Sequence, residues 1–128
     1  MHVRPVTGIP EVRPGDDIGT MLDAIDPPDA DDVVVVASTI VSKAEDRGRT
    51  LDAYIPGERA RSIAERLSER SGEQKDPRFA QAVIEESSEL LMEEPFLLAV
   101  TRFGHIGVNA GIDRTNITDG SDILLLPT

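Results

Sequence analysis

The sequence predicts an α+β fold in which a mixed β-sheet packs with helices. Apolar residues recur at helical spacing in three segments, and short runs rich in valine, isoleucine and leucine indicate strands between and after them. The 128 residues fit a single domain, 1–128, that can bury one core. Cysteine is absent, which excludes disulfides and thiolate metal sites.

The N-terminal part begins with a predicted edge strand over residues 2–6, because Pro5 is tolerated in a sheet only at an edge. A loop rich in glycine and proline follows over residues 7–15. Asp16 or Asp17 then caps a predicted helix. The apolar face of this helix consists of Ile18, Met21, Leu22 and Ile25.

Residues 32–37 are predicted to form a buried strand, because four valines follow one another directly after turn residues. We expect this strand to run on into residues 38–43. A further short strand is predicted over residues 49–54.

Two helices are predicted in the middle of the chain. The first covers residues 56–70, and Gly72 ends it. Its apolar face consists of Ala60, Ile63, Ala64 and Leu67. The second begins at Asp76, which caps it ahead of Pro77, and we expect it to reach about Met92.

The C-terminal part reads as β-structure. Residues 96–103 alternate in polarity and are predicted to form a strand, with residues 106–109 as the hairpin partner. A last strand is predicted over residues 122–126. Strands and helices are therefore intermixed along the chain, which is typical of a two-layer α+β domain.

The charge balance excludes some partners. The 24 acidic and 13 basic residues give a net charge of -11, which repels nucleic acid and anionic membranes, so neither is expected as a partner. Only Lys43 and Lys75 are lysines. An acid-rich, lysine-poor composition favours adaptation to concentrated salt, as in a salt-loving microbe, over a merely acidic surface. Neither a signal peptide nor a run that could cross a bilayer is found, so a cytoplasmic location is predicted.

Lys43 is a candidate for binding phosphate. A compact ammonium group after a strand is notable in a chain that otherwise uses arginine, and lysine contacts phosphate as a point charge. Ser38 and Thr39 could donate hydroxyl and backbone N–H groups to the same anion. A surface lysine is the alternative, and no Walker A motif is present.

Residues 109–116 are a second candidate segment. Gly111 lets the backbone approach a ligand closely, and Asp113 supplies a hard oxygen suited to Mg²⁺ or Mn²⁺. Asn116 can reach a base or a ribose. The alternative is a loop in which Asp113 caps a turn. His2, His105 and the acidic stretch 85–89 are expected to be structural or solvated.

In combination, these segments resemble the N-terminal half of the coenzyme F420-0:L-glutamate ligase family. Residues 8–12 with Gly15-Asp16-Asp17, and residues 33–45, are similar to the family's N-terminal signatures. Further matches follow in order and cover nearly the whole chain, at 58–60, 76–78, 85–87 and 108–116.

The resemblance implies a GTP-dependent ligase that forms an amide or γ-glutamyl bond between L-glutamate and coenzyme F420-0 through an acyl phosphate. It implies Mg²⁺ or Mn²⁺, K⁺ and a homodimer. The family residues that contact GTP match Ile9, Pro10, Glu11, Val12, Ser38, Thr39, Lys43 and Asn116. Asp113 matches a metal ligand, and no catalytic residue is assigned.

The family pattern continues beyond residue 128 with a second metal-binding segment and a glycine-rich loop, so this chain corresponds to the N-terminal domain of a larger two-part ligase fold. The isolated chain is therefore expected to be inactive. The alternative function is a truncated, non-catalytic domain that binds nucleotide or dimerises.

Overall fold

The computed structural model describes residues 1–116 and 122–128, with Thr115 and Asn116 described by their backbone only. The described chain divides into two compact units, Met1–Arg47 together with Thr128, and Gly48–Pro127. Helices and two small antiparallel sheets make up the chain, which confirms the α+β class. No helix in the described part is long and apolar enough to cross a membrane.

The N-terminal unit contains two helices. Helix α1 spans Ile18–Ile25, and the Asp17 carboxylate caps it by accepting a hydrogen bond of 2.8 Å from the Thr20 backbone N–H. Of its predicted apolar face, Leu22 is buried, Ile18 and Met21 are half-buried, and Ile25 is exposed. Helix α2 spans Ser38–Ala44, where the sequence predicted the continuation of a strand.

Two strand predictions in this unit are wrong. Residues 2–6 and 32–37 form no strand, and the four valines of 33–36 are exposed rather than buried. Segments rich in β-branched residues form a strand only where another strand pairs with them. This is because β-propensity reflects the packing of side chains against neighbouring strands. No such neighbour lies beside these residues in the described chain.

The helices of the second unit follow the sequence signals at one end each, α3 at its C-terminus and α4 at its N-terminus. Helix α3 spans Glu58–Ser71 and ends at Gly72, whose φ of 73° lies in the left-handed region. Helix α4 spans Pro77–Glu85 and is capped by Asp76, whose carboxylate accepts from the Arg78 N–H at 2.9 Å. Hydrogen bonds from the Arg78 side chain lower the pKa of Asp76.

Helix α4 ends seven residues earlier than predicted. A strand, Ser87–Met92, begins in its place, and Glu86 is buried although the acidic stretch was expected to be solvated. Pairing with a neighbouring strand decides this boundary, since the 87–92 segment is stabilised by cross-strand contacts that a helix pattern alone does not reveal.

The sheets are three-stranded. In chain order the strands are β1 (Gly48–Thr50), β2 (Ser87–Met92), β3 (Leu98–Thr101), β4 (Ile106–Val108), β5 (Asp113–Asn116) and β6 (Asp122–Leu125). One sheet has the order β1-β6-β5 and the other β2-β3-β4. All pairings in the described chain are antiparallel, so the predicted mixed sheet is corrected to two antiparallel sheets.

The hairpin β3-β4 and the last strand β6 lie where the sequence predicted them. Strand β1 covers only the start of the predicted 49–54 strand, because a 3₁₀ turn follows at Leu51–Ala53. Strand β5 was not predicted.

The core of the second unit lies between its helices and its sheets. Its largest fully buried side chains come from both helices, from strand β6, from the residue before β3 and from the turn after β1; they are Leu51, Ile63, Val83, Leu97 and Leu124. Arginines of α3 also bind the turn after β2, and Glu93 accepts from Arg59 at 2.7 Å and from Arg66 at 2.5 Å. These ion pairs connect α3 to the turn between β2 and β3.

Candidate nucleotide-binding site

The loop over residues 9–15 is held against the end of α2. The Gly15 N–H donates a hydrogen bond of 2.8 Å to the Ala44 carbonyl, and Val12 is buried. The Arg13 N–H donates to the Asp16 carboxylate at 2.7 Å, which closes the loop into a turn ahead of α1. Gly15 has a φ of 89°, a conformation that favours glycine. Residues 9–12 and α2 therefore belong to one structured unit.

Lys43 lies in the last turn of α2 and is half-buried. Within the described residues its ammonium group makes no ion pair, whereas Lys75, the chain's other lysine, pairs with Glu73 at 2.8 Å. A half-buried cation without a carboxylate partner is free to neutralise an anionic ligand.

The three hydroxyl residues of α2 lie in different surroundings. Thr39 precedes Lys43 by four residues, so the two side chains share one helix face, and both are half-buried. Ser42 is buried, and its hydroxyl donates to the Ser38 carbonyl at 3.0 Å. The Ser38 side chain itself is exposed. Helix formation thus makes Thr39 and Lys43 neighbours on one face, whereas an extended strand would separate them by about 13 Å.

In the second unit, Asp113 begins strand β5, opposite Leu125 of β6. Its side chain is exposed and makes no hydrogen bond or ion pair with other described residues. Arg114, its neighbour, donates instead to Asp122 at 2.9 Å. Asp113 is therefore a free hard-oxygen donor on a sheet edge.

An unusual turn precedes Asp113. Asn109, Ala110 and Gly111 have φ values of 53°, 54° and 73°, three consecutive residues in the left-handed region. Ala110 is fully buried, and a non-glycine residue in this conformation costs about 1–2 kcal/mol. The Asn109 N–H donates to the Leu97 carbonyl at 2.8 Å, which holds the turn against the β2-β3-β4 sheet.

The strained turn is a feature that the sequence analysis missed. Its one signal was Gly111, which indicated a close backbone approach but gave no sign that Asn109 and Ala110 share its conformation. Strain of this kind is stored where the surrounding structure enforces it, and here it sets the start of β5 and hence the position of Asp113.

The predicted site residues fall into two groups. Ile9, Pro10, Glu11, Val12, Ser38, Thr39 and Lys43 lie in the N-terminal unit, and Asp113 and Asn116 lie in the second unit. The backbone of Asn116 ends β5, and its side chain lies outside the described residues. These assignments remain predictions.

The donor set fits a divalent cation only in part. The described residues contain no cluster of three acidic or histidine side chains that could hold a metal by themselves. Mg²⁺ is commonly held by one or two carboxylates together with water and substrate phosphates. The free Asp113 carboxylate fits the role of one such ligand, with the remaining ligands supplied from elsewhere.

These features define a part of an α+β protein that offers a free cation in one unit and a free carboxylate in the other. The F420-0:gamma-glutamyl ligase family model matches residues 7–128. The chain belongs to this family of ligases.

Curated relatives agree with that assignment. The chain is 61% identical over 127 residues to the coenzyme F420:L-glutamate ligase of Halorubrum lacusprofundi, and 60% identical over 128 residues to that of Natronomonas pharaonis. The protein of the same name from Archaeoglobus fulgidus is 45% identical over 127 residues. Each match covers 99% of this chain and 50%, 50% and 48% of the respective relative. The chain therefore spans about half the length of the curated relatives it matches.

Proposed function

We propose that this chain is the N-terminal part of a GTP-dependent ligase that adds L-glutamate to coenzyme F420-0 in coenzyme F420 biosynthesis. The observation that carries the proposal is the match of nearly the whole chain to relatives named coenzyme F420:L-glutamate ligase. Because the chain spans half of their length, catalysis is proposed for the completed two-part protein, and the isolated chain is proposed to be inactive.

The proposed reaction activates a carboxylate before the amide bond forms. A carboxylate oxygen of the acceptor attacks the γ-phosphorus of GTP, GDP leaves, and an acyl phosphate results. The glutamate amine then attacks the acyl carbon, the C–O bond to phosphate breaks, and the nitrogen loses a proton. The products are an amide, GDP and inorganic phosphate.

The N-terminal unit supplies most of the proposed GTP contacts. Residues 9–12 precede Gly15, whose N–H donates a hydrogen bond to the Ala44 carbonyl at the end of α2, so the loop and Lys43 belong to one structured unit. The Lys43 ammonium would neutralise phosphate charge, and Thr39 on the same helix face would donate a hydroxyl hydrogen bond. Ser38 and Asn116 complete the proposed contacts.

Asp113 is the proposed metal ligand. Its carboxylate has no competing partner among the described residues, and the strained turn before β5 fixes its backbone. When bound, Mg²⁺ or Mn²⁺ supplies positive charge to the nucleotide phosphates, and K⁺ is proposed as an additional cation. The donor set seen here requires that further ligands come from the nucleotide or from the other half of the ligase.

The proposed partners are coenzyme F420-0, L-glutamate and GTP, with a homodimer as the assembled form. All three small molecules are anions, and the chain also carries a net negative charge, of -11. Bound cations and Lys43 therefore have to overcome a repulsive field, which is why these two features are central to the proposal.

The second candidate is a non-catalytic domain that binds nucleotide or dimerises. It is favoured by one observation, namely that the chain spans only half of its relatives' length. It predicts nucleotide binding or self-association without turnover when the other half is added.

Activity in trans separates these candidates. The chain would be mixed in concentrated KCl with the complementary half of the Halorubrum lacusprofundi relative, then supplied with GTP, MnCl₂, coenzyme F420-0 and glutamate. We expect GDP release that requires both acceptor and glutamate, a product heavier by one glutamyl residue, and a hydroxamate when hydroxylamine replaces glutamate. Neither half alone should turn over. Absence of GDP release from a mixture in which the two halves demonstrably form a complex would contradict the proposed function.

A further inference from the structure

The four consecutive valines of residues 33–36 lie in an exposed segment. Val33 and Val35 are 88% and 91% exposed, and Val34 and Val36 are 46% and 39% exposed. Exposure thus alternates with a period of two residues, as it does along an extended chain. Both faces of the segment are apolar, and neither is buried.

The segment is held at both ends. Before it, the Asp32 N–H donates to the Asp29 carbonyl at 3.0 Å, and the Asp29 N–H donates to the Asp32 carboxylate at 3.0 Å, forming a closed turn. After it, Ala37 has extended backbone angles and α2 begins at Ser38. Because its ends are fixed, pairing these residues with a strand would cost little conformational entropy.

An apolar segment of this kind is typical of a central strand. Strands covered on both faces appear as continuous runs of valine, isoleucine and leucine, whereas strands with one solvated face alternate in polarity. Within the described chain no strand pairs with residues 33–36. Whatever covers them must therefore provide a neighbouring strand and apolar cover for two faces.

We propose that residues 33–36 become a central β-strand by pairing with the half of the ligase that this chain does not match. The proposal rests on the proposed two-part ligase. The main support is the length of the relatives. Each match covers 99% of this chain but only 50% of the relative, so the relatives are about twice as long as this chain. In each relative, therefore, the half that this chain matches is accompanied by one copy of the other half. That other half is long enough to supply both a strand and its apolar cover.

A second copy of this chain fits less well. Pairing two identical four-residue segments would satisfy one backbone edge and leave the apolar faces uncovered. Strand addition to the complementary half can supply both a paired backbone edge and cover for the apolar faces.

Strand formation at residues 33–36 also has a consequence for the nucleotide site. Helix α2 follows directly after Ala37, so docking the strand fixes the start of the helix that carries Thr39 and Lys43. The two halves would then assemble the site by a strand contact that lies outside the GTP-contacting residues themselves.

Amide hydrogen exchange tests the proposal without reference to activity. The chain would be labelled in concentrated KCl, alone and with the complementary half of the Halorubrum lacusprofundi relative, and the peptide containing residues 33–36 followed by mass spectrometry. We expect exchange to slow on the order of 100-fold or more on mixing, because solvated amides become strand hydrogen bonds. Equal exchange rates with and without the other half, with or without complex formation, would overturn the proposal.

Paired substitutions identify the contact. Val34→Lys with Val36→Lys should weaken binding of the complementary half on the order of 100-fold, since charged side chains would have to enter an apolar layer. Val3→Lys with Ile55→Lys adds the same two charges at apolar positions that are 79% and 83% exposed and should change affinity less than about twofold. Equal weakening by both pairs would overturn the proposal.

The remaining outcomes are also decisive. Protection that depends on the concentration of this chain alone would show that a second copy is the occupant, against the proposal. A complex with protected residues 33–36 but no GTP turnover supports this inference and contradicts the proposed function. Turnover with residues 33–36 unprotected contradicts this inference alone.

Discussion

The two units of the chain bury their apolar side chains to very different degrees. In the described part of residues 48–127, helices α3 and α4 and both sheets enclose a core that includes Leu51, Ile63 and Leu124. In residues 1–47, the buried apolar residues are Val12 and Leu22, while the four valines of 33–36 are exposed. Apolar residues are thus enclosed in one unit, whereas the other contains an exposed apolar segment that pairs with no strand in the described chain.

The N-terminal unit also carries more net negative charge for its length than the second unit. Residues 1–47 hold 10 acidic and 4 basic residues, a net charge of -6, and residues 48–128 hold 14 acidic and 9 basic residues, a net charge of -5 over a longer segment. The N-terminal unit therefore has less core and a higher charge density. It is expected to depend more on its surroundings, namely salt, ligand and the complementary half.

The largest expected effect is on the core of the second unit. Ile63→Ala should destabilise the chain by about 3–4 kcal/mol, because it empties space around a fully buried side chain. Val35→Ala, at a 91% exposed position, should change stability by less than about 0.5 kcal/mol. Thermal unfolding followed by circular dichroism in concentrated KCl measures both. Similar losses in the two variants would contradict the contrast between the units.

The next effect concerns the free carboxylate. In the completed two-part ligase, Asp113→Asn keeps the shape of the side chain and removes its charge, so turnover should fall on the order of 100-fold. Additional Mn²⁺ should restore part of it. Asp23→Asn, an exposed carboxylate in α1, serves as the matched control and should leave turnover unchanged. Wild-type turnover in Asp113→Asn would remove this residue from the metal site.

Salt should affect the N-terminal unit more strongly. At low ionic strength the Debye length is about 30 Å and the repulsion within the acidic surface is unscreened, whereas at about 1 M salt it is about 3 Å. We expect the unfolding midpoint to rise by roughly 10 °C, equivalent to about 2 kcal/mol, between dilute buffer and concentrated KCl. Hydrogen exchange should slow most in residues 1–47. Equal midpoints in the two buffers would contradict salt adaptation.

A smaller effect concerns acid. Hydrogen bonds from Arg59, and to a lesser degree from Arg66, lower the pKa of Glu93 below its ordinary value of 4.5. Because the folded pKa lies below the unfolded one, the stabilisation is complete above the unfolded value and is lost as pH falls through the folded value. Glu93→Gln should therefore cost about 1 kcal/mol at pH 7 and little at acidic pH.

The control for this prediction is Glu89→Gln, which removes an exposed carboxylate in β2. Its stability at pH 7 should match that of the wild type to within about 0.5 kcal/mol, because the replaced side chain is on the surface. If Glu93→Gln and Glu89→Gln had the same pH dependence, the arginine contacts of α3 would not be the cause.

The sequence predicted the parts of the fold that are specified locally. Asp17 at the start of α1, Pro77 at the start of α4 and Gly72 at the end of α3 each act on their own turn. Pro77 and Gly72 lie where they were predicted, and Asp17 is one of the two caps predicted for α1. Such signals need no distant partner, because they satisfy or end hydrogen bonds of adjacent residues.

The errors occurred where distant residues decide. Residues 38–43 are rich in β-branched residues, but they form α2, with the Ser42 hydroxyl bonded to the Ser38 carbonyl and Gly15 bonded to Ala44. Strand β5 is polar along its length and gave no strand pattern, although β6 pairs with it. In both segments tertiary contacts override local propensity.

The candidate site was predicted from residue types and resemblance more than from geometry. The sequence indicated Lys43 because lysine is rare in this chain, and the structure adds that its ammonium makes no ion pair with the described residues. It indicated Asp113 as a hard oxygen donor but not the strained turn that precedes it. Backbone conformations of that kind depend on the packing of Ala110, which no local pattern encodes.

The most direct test of the account is GTP affinity in two arginine variants of the completed ligase. Lys43→Arg keeps the charge but replaces a compact ammonium with a planar fork, so calorimetry should show GTP binding weakened by about tenfold. Lys75→Arg, at the lysine that already pairs with Glu73, should bind GTP within about twofold of the wild type. Wild-type affinity in Lys43→Arg, or equal losses in both variants, would contradict the nucleotide site proposed for residues 1–47.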